Sequence, residues 1–249
     1  MSDTCWHTEC GNDLRTHGPT TLLLNHCHQI KGAAVTHTAA SLKEHHRSIR
    51  EQQPEALRLR LHRALSWLVR SEQEADDADI QFVLQWIAFN AAYAREFGRE
   101  ETERMRAKAF LETLVSLDTQ KRLHQALFQQ FTGPIRTLID NKFTFEPFWI
   151  ALQTHDASTR WEERFASSKK AAFAAVMQGD TIKVLGIVFD RLYVLRNQLV
   201  HGGATWNSQV NRTQLADAVA ILGTLVPLIL SVMMDHPHQE FGDAMYPVV

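Results

Sequence analysis

The chain is predicted to be all-α, a bundle of long helices around one core. From Pro54 onward, apolar residues recur at three- and four-residue intervals almost everywhere, which is the period of a helix with one buried face. No alternating run of strand type persists anywhere. A hydrophobic share of 45% against 22% charged, over 249 residues, leaves enough apolar material to fill such a core.

Residues 1–50 stand apart, rich in His, Thr and small polar residues. They are read as a weakly ordered N-terminal extension ahead of a helical domain over 51–249. The extension carries Cys5, His7, Cys10, His26, Cys27 and His28. Structural zinc sites use tight paired spacing such as C-x2-C with a matching second pair. Here four residues separate Cys5 from Cys10, and the other three ligand types are consecutive. The cluster is therefore read as composition, and no metal or other cofactor is expected. The three cysteines all fall in this segment, so no disulfide framework is expected and a reducing compartment is. No basic stretch followed by an apolar one opens the sequence, so a cytoplasmic location is expected.

The helices are then placed in order. Leu57, Leu61, Leu65 and Leu68 form one stripe behind Pro54, a residue suited to a first turn. Asp76, Asp77 and Asp79 precede Ile80–Tyr93; carboxylates there meet unpaired N–H groups and the positive end of the dipole. That second helix is apolar on most sides and should be central, ending at Gly98. Further helices are expected over about 101–117, 119–131 and 135–140, with Gly133-Pro134 as an interruption. Residues 141–147 read as a loop with exposed aromatics. The next helices span about 159–177, ended by Gly179-Asp180, then Thr181–Val200, stopped by His201-Gly202-Gly203, then Arg212–Met234. Asn211 with Gln214 makes a capping box for the last, and Pro227 is expected to kink it. The apolar run Val219–Met234 reads as a buried core helix, too short for a membrane span, so no membrane partner is expected.

The formal charge of −2 excludes a bulk polycation, so no DNA partner is expected. Phosphate-loop, dinucleotide, HExxH and GxSxG motifs are absent, which weakens NTPase, dehydrogenase, zincin and hydrolase readings.

Chemistry concentrates in Arg196-Asn197-Gln198-Leu199-Val200-His201. At about 100° per residue, Leu185, Val188, Leu192, Leu195 and Leu199 share the core side, while Asp190, Tyr193, Asn197 and His201 share the other. Arg196 lies on the flank, about 140° from His201. These residue types suit RNA cleavage by the substrate's own 2′-OH. Histidine serves as base or acid near neutral pH, arginine grips phosphate oxygens through a planar fork, and asparagine orients either. One histidine does not readily fill both roles, and a symmetric pair of chains would divide them. The competing reading is that Asn197 and His201 merely cap the helix.

Val194-Leu-Arg-Asn-Gln-Leu-Val-His-Gly-Gly203 resembles the R-N-x-x-x-H signature of HEPN domains. Trp206-Asn207, Asn211-Arg212, Leu61–Leu68 and Trp86–Tyr93 are similar to the Apea-like branch, so the resemblance covers about 55–236. It implies a HEPN-type helical bundle with additional helices, working as a homodimer, and a metal-independent endoribonuclease. It places catalysis at Arg196 and His201, with Asn197 beside them, RNA as substrate and an antitoxin or defence-system partner. Some toxin members carry a modifiable tyrosine two residues after the histidine; Gly203 stands there. Other members only bind RNA, a nucleotide or a protein, which is the alternative function. Phe143, Phe145, Phe148, Trp149 and Trp161 are read as packing rather than base-stacking groups, Asn90 and Tyr93 as core polar groups, and Arg99–Lys108 as a solvated face.

Overall fold

The fold comes from a computed structural model, which describes residues 38–94, 102–155, 160–209 and 212–244. Within them the helices are α1 (Ala39–Ile49), α2 (Glu55–Glu72), α3 (Ala78–Tyr93), α4 (Glu103–Leu117), α5 (Arg122–Gln125), α6 (Thr132–Asp140), α7 (Glu146–Thr154), α8 (Trp161–Gln178), α9 (Thr181–Val200) and α10 (Arg212–Asp235). No strand forms among the described residues, and the all-α prediction holds.

The described part of the expected extension is helical. Thr38 caps α1 by accepting from Ser41 N–H, Ala39 and Leu42 are buried, and Ala39 N–H bonds Glu72 Oε1 at 2.8 Å. Two apolar anchors on so polar a helix give little periodicity to read, yet they suffice once α2 supplies a face to pack on. The Cys/His cluster lies outside the described residues.

The predicted stripe on α2 is the buried one: Leu57, Leu61, Leu65 and Leu68 are at most 3% exposed. The central position of α3 also holds; it packs against α2 and α10 and touches α9 and α4. Asp77 caps it by accepting from Asp79 and Ile80 N–H. It ends at Tyr93, ahead of Gly98, which is not among the described residues. The end coincides with Arg60, 1% exposed, whose guanidinium donates to the carbonyls of Ala92, Ala94, Phe241, Gly242 and Asp243. One buried cation thus satisfies the last turn of α3 and holds the C-terminal segment against it.

Between α4 and α8 the chain departs from expectation. The predicted helix over 119–131 starts at Arg122, after Lys121 at φ 55, as α5, and continues as a π-helix over Ala126–Gln130. Gly133-Pro134 does not interrupt: both sit in the first turn of α6, where proline's missing N–H costs nothing. The expected loop over 141–147 is a 3-10 turn at Lys142–Thr144 leading into α7. Its aromatics, Phe143 and Phe145, are half-buried, and Phe148 in α7, only 7% exposed, packs on Phe143, Trp149 and Trp161, which supports the packing reading for this cluster.

Helix α9 has the predicted bounds, framed by the left-handed Gly179 that ends α8 and by Asp180, whose carboxylate accepts from Lys183 N–H. Its core side is the predicted one, with Leu185, Val188, Leu192 and Leu195 buried. Helix α10 continues through Pro227, and almost every residue from Ile221 to Met234 is buried. It is the one helix among the described residues long and apolar enough to cross a membrane, and most of its apolar window is covered by the bundle. Asn211, the expected cap, is outside the described residues.

Candidate functional site at the end of α9

Arg196 leaves α9 toward α4. Its Nη2 donates to both carboxylate oxygens of Glu103, at 2.7 and 2.8 Å. Thr102 caps α4 by accepting from Met105 N–H, which sets Glu103 at the first helical position. Tyr93, at the end of α3, donates to Glu103 Oε1 at 2.9 Å, and Tyr193 donates to Oε2 at 3.3 Å. Glu103 therefore ties α3, α4 and α9 together. The Arg196 guanidinium lies 4.4 Å from the Tyr193 ring centre and 5.4 Å from that of Trp86, and its side chain is 14% exposed. Burial pushes the Glu103 carboxyl up, but the hydrogen bonds from Arg196 and Tyr93 and the charge of Arg196 outweigh it, and the group is held below the usual range. Burial, then the neighbouring Glu103 charge, pushes the Tyr93 phenol far up.

The clamp uses one nitrogen of the fork. Arg196 Nε is buried without a hydrogen-bond partner, and so is Asn197 Oδ1. His201 is exposed at the C-cap, where its backbone N–H bonds Asn197 O at 3.0 Å. Gly202 takes the left-handed conformation, φ 69, that stops the helix. Gly203 serves a different purpose: a Cβ there would sit 3.2 Å from Gln198 O, the atom that Ala204 N–H binds. The two glycines let the chain fold back tightly over the last turn. Gln198 donates to Phe143 O at 2.7 Å and fixes that turn to the 142–144 segment.

The chain after His201 is tied to the start of α3. Trp206, 71% exposed, donates its indole N–H to Asp77 Oδ2 at 2.8 Å, and Asp79 accepts from Asn207 N–H and from Arg212 Nη1. Hydrogen bonds from Ile80 N–H and the Trp206 indole hold the Asp77 carboxyl below its usual range.

Of the predicted site residues, Arg196 faces inward with Glu103, Asn197 is half-buried, and His201 faces solvent one turn on. Tyr93 is more than a core polar group, because its hydroxyl completes the Glu103 clamp. Glu103 is the residue that sequence reasoning missed. It sits in the Arg99–Lys108 stretch read as a solvated face. Its partner is 93 positions away, so no local spacing signals the pair. Among the described residues no group of three or more His, Cys, Asp or Glu side chains could hold a metal. Comparison with protein-family models, curated proteins and solved structures finds no match for the chain.

Proposed function

We propose that this protein is a metal-independent endoribonuclease of HEPN type, acting as a homodimer through paired α9 C-termini. The observation that supports it is the clamp: Arg196 is oriented by Glu103 through Nη2 alone, while the exposed His201 stands one turn further on. Held in this way, the guanidinium is already ordered, and Nη1, which Glu103 does not engage, is the nitrogen that would meet phosphate oxygens, Nε being buried. In the reaction, the 2′-oxygen attacks phosphorus and the bond to the 5′-oxygen breaks, leaving a 2′,3′-cyclic phosphate. His201 of one copy accepts the 2′-OH proton, and His201 of the second copy protonates the departing 5′-oxygen. Arg196 offsets charge on the phosphoryl oxygens, and the amide of Asn197 orients the reacting groups.

A second reading is favoured by the burial of Arg196. A guanidinium 14% exposed and already neutralised by a carboxylate also suits a non-catalytic module that binds RNA, a nucleotide or a protein partner through this end of the bundle. The two separate when purified protein is incubated with tRNA and mixed single-stranded RNA in EDTA, beside Arg196→Ala and His201→Ala. The ribonuclease reading expects fragments ending in 2′,3′-cyclic phosphate from the wild type and none from either variant. Cleavage that survives in His201→Ala would sink it. Binding that depends on Arg196, with no product from any form, would establish the module instead.

A further inference from the structure

The groove between α1 and α2 shares no lining residue with the site of Arg196 and His201. The two helices run antiparallel, since the first residue of α1 bonds Glu72 at the end of α2. The groove has a volume of about 500 Å³. Lys43, Arg47 and Arg50 line it from α1 and its cap at i, i+4 and i+7, and Arg58 and His62 line it from α2 at i and i+4. Glu55 is the one carboxylate in the lining. Four cations therefore converge on one groove in a chain whose formal charge is −2, so the cluster is local and not a reflection of bulk composition.

Glu44 and Glu51 do pair with these arginines: Arg47 with Glu44 at 3.2 Å, and Arg50 and Arg58 with Glu51 at 3.1 and 3.8 Å. Both acids are about three-quarters exposed (76% and 75%) and stand outside the lining. Exposed pairs of this kind hold weakly and exchange for a better anion. In the lining itself, His46 is 4% exposed and its Nε2 has no hydrogen-bond partner. Burial first, then the neighbouring His62 and Arg50, hold it toward the neutral form. A negative group in the groove would engage several donors at once. A row of three cations along α1, at i, i+4 and i+7 and faced by Arg58 on α2, suits a linear anion with spaced charges better than a single compact one.

We infer that the α1–α2 groove binds the phosphodiester backbone of single-stranded RNA, as a contact track distinct from the α9 site. The inference rests on the ribonuclease reading only in naming RNA as the polyanion.

The test measures anisotropy of a fluorescein-labelled single-stranded RNA against the full chain over a range of KCl, in a His201→Ala background so that the probe stays intact. The groove variant is Lys43→Glu/Arg47→Glu/Arg58→Glu, with the milder all-Gln set as a second form. A control reverses the same number of exposed charges elsewhere, at Arg136, Arg164 and Lys170, and far-UV circular dichroism checks that each variant folds. The groove variant should bind at least tenfold more weakly at low salt. Its slope of log affinity against log salt should fall by about two, from three lost contacts at about 0.7 each. The control should stay close to the parent. Equal losses in both, no RNA binding by the folded parent, or displacement by micromolar inorganic tripolyphosphate (the behaviour of a small-anion site) would overturn the inference. The cleavage assay above is a separate readout. A wild type that never cuts RNA, together with a groove variant that loses binding, refutes the ribonuclease reading and leaves the groove standing.

Discussion

Arg60 and Arg196 are both drawn into the bundle, and they are held by opposite kinds of partner. Arg60 donates through Nη1 and Nη2 to five backbone carbonyls, which cannot titrate, move away or be displaced without unravelling the end of α3. Arg196 is held by one carboxylate, through one nitrogen, with aromatic rings beneath it. A carboxylate can be protonated or compete with another anion. The difference separates an arginine used to close a structure from one kept oriented yet able to change partners. Arg191 is a third case. It is 4% exposed on the rings of Phe145 and Phe165, with Nη1 and Nη2 lacking hydrogen-bond partners, and burial pulls its guanidinium down to about 10.

The largest expected effect breaks the first arginine. Arg60→Ala leaves buried carbonyls without donors and frees the C-terminal segment; it should cost about 3–4 kcal/mol in urea unfolding. A loss below about 1 kcal/mol would mean that water replaces the guanidinium easily and that the contrast with Arg196 is unfounded.

The second prediction concerns the clamp. Glu103→Gln keeps an acceptor but removes the charge, and should cost about 1 kcal/mol, because Glu103 is only partly shielded from solvent. If the ribonuclease proposal is right, kcat should fall about tenfold with KM nearly unchanged, since a loosened guanidinium is misplaced rather than absent. An unchanged kcat would make Glu103 merely structural. The same variant fixes a pH dependence. Glu103 has a lower pKa in the fold than in the unfolded chain, so its stabilisation is complete above the ordinary carboxylate range. It is lost as pH falls below about 4 through the folded value. The stability curves of wild type and Glu103→Gln should therefore converge on acidification; curves that stay parallel would contradict the clamp.

Arg191→Met should work in the other direction. Removing a buried charge with unpartnered nitrogens gains more than the lost ring contacts cost, by about 1 kcal/mol, seen as a melting temperature roughly 2–4 °C higher. A lower melting temperature would show that the ring contacts outweigh desolvation. A further effect of similar size is expected at the turn after α9. Gly202→Ala forces a Cβ into a φ of 69 and should cost about 1 kcal/mol. It should also alter the fluorescence of Trp206, which the same short loop carries to Asp77. Unchanged emission would mean that the Asp77 and Asp79 contacts hold the loop without the turn.

Local spacing was a good guide wherever one face of a helix had to be apolar. It placed α9 from Thr181 to Val200, the leucine stripe of α2 and the core side that leaves Asn197 and His201 less buried. It failed where a helix is short or polar, as in α1 and α7, whose few anchors acquire meaning only from neighbours. It also misjudged Gly133-Pro134, because the same dipeptide breaks a helix interior and begins a helix.

By itself, then, the sequence determined the helical class, the extent of the longest elements and the residue types gathered at the end of α9. The reason is that backbone hydrogen bonding and burial of one face are decided within a few turns. Tertiary structure decided that Glu103 meets Arg196, that Tyr93 supports it, and that Arg60 faces carbonyls while Arg196 faces an acid. Such pairings depend on where helices distant in sequence cross. That is set by the packing of all their faces together, which no single stretch of residues encodes.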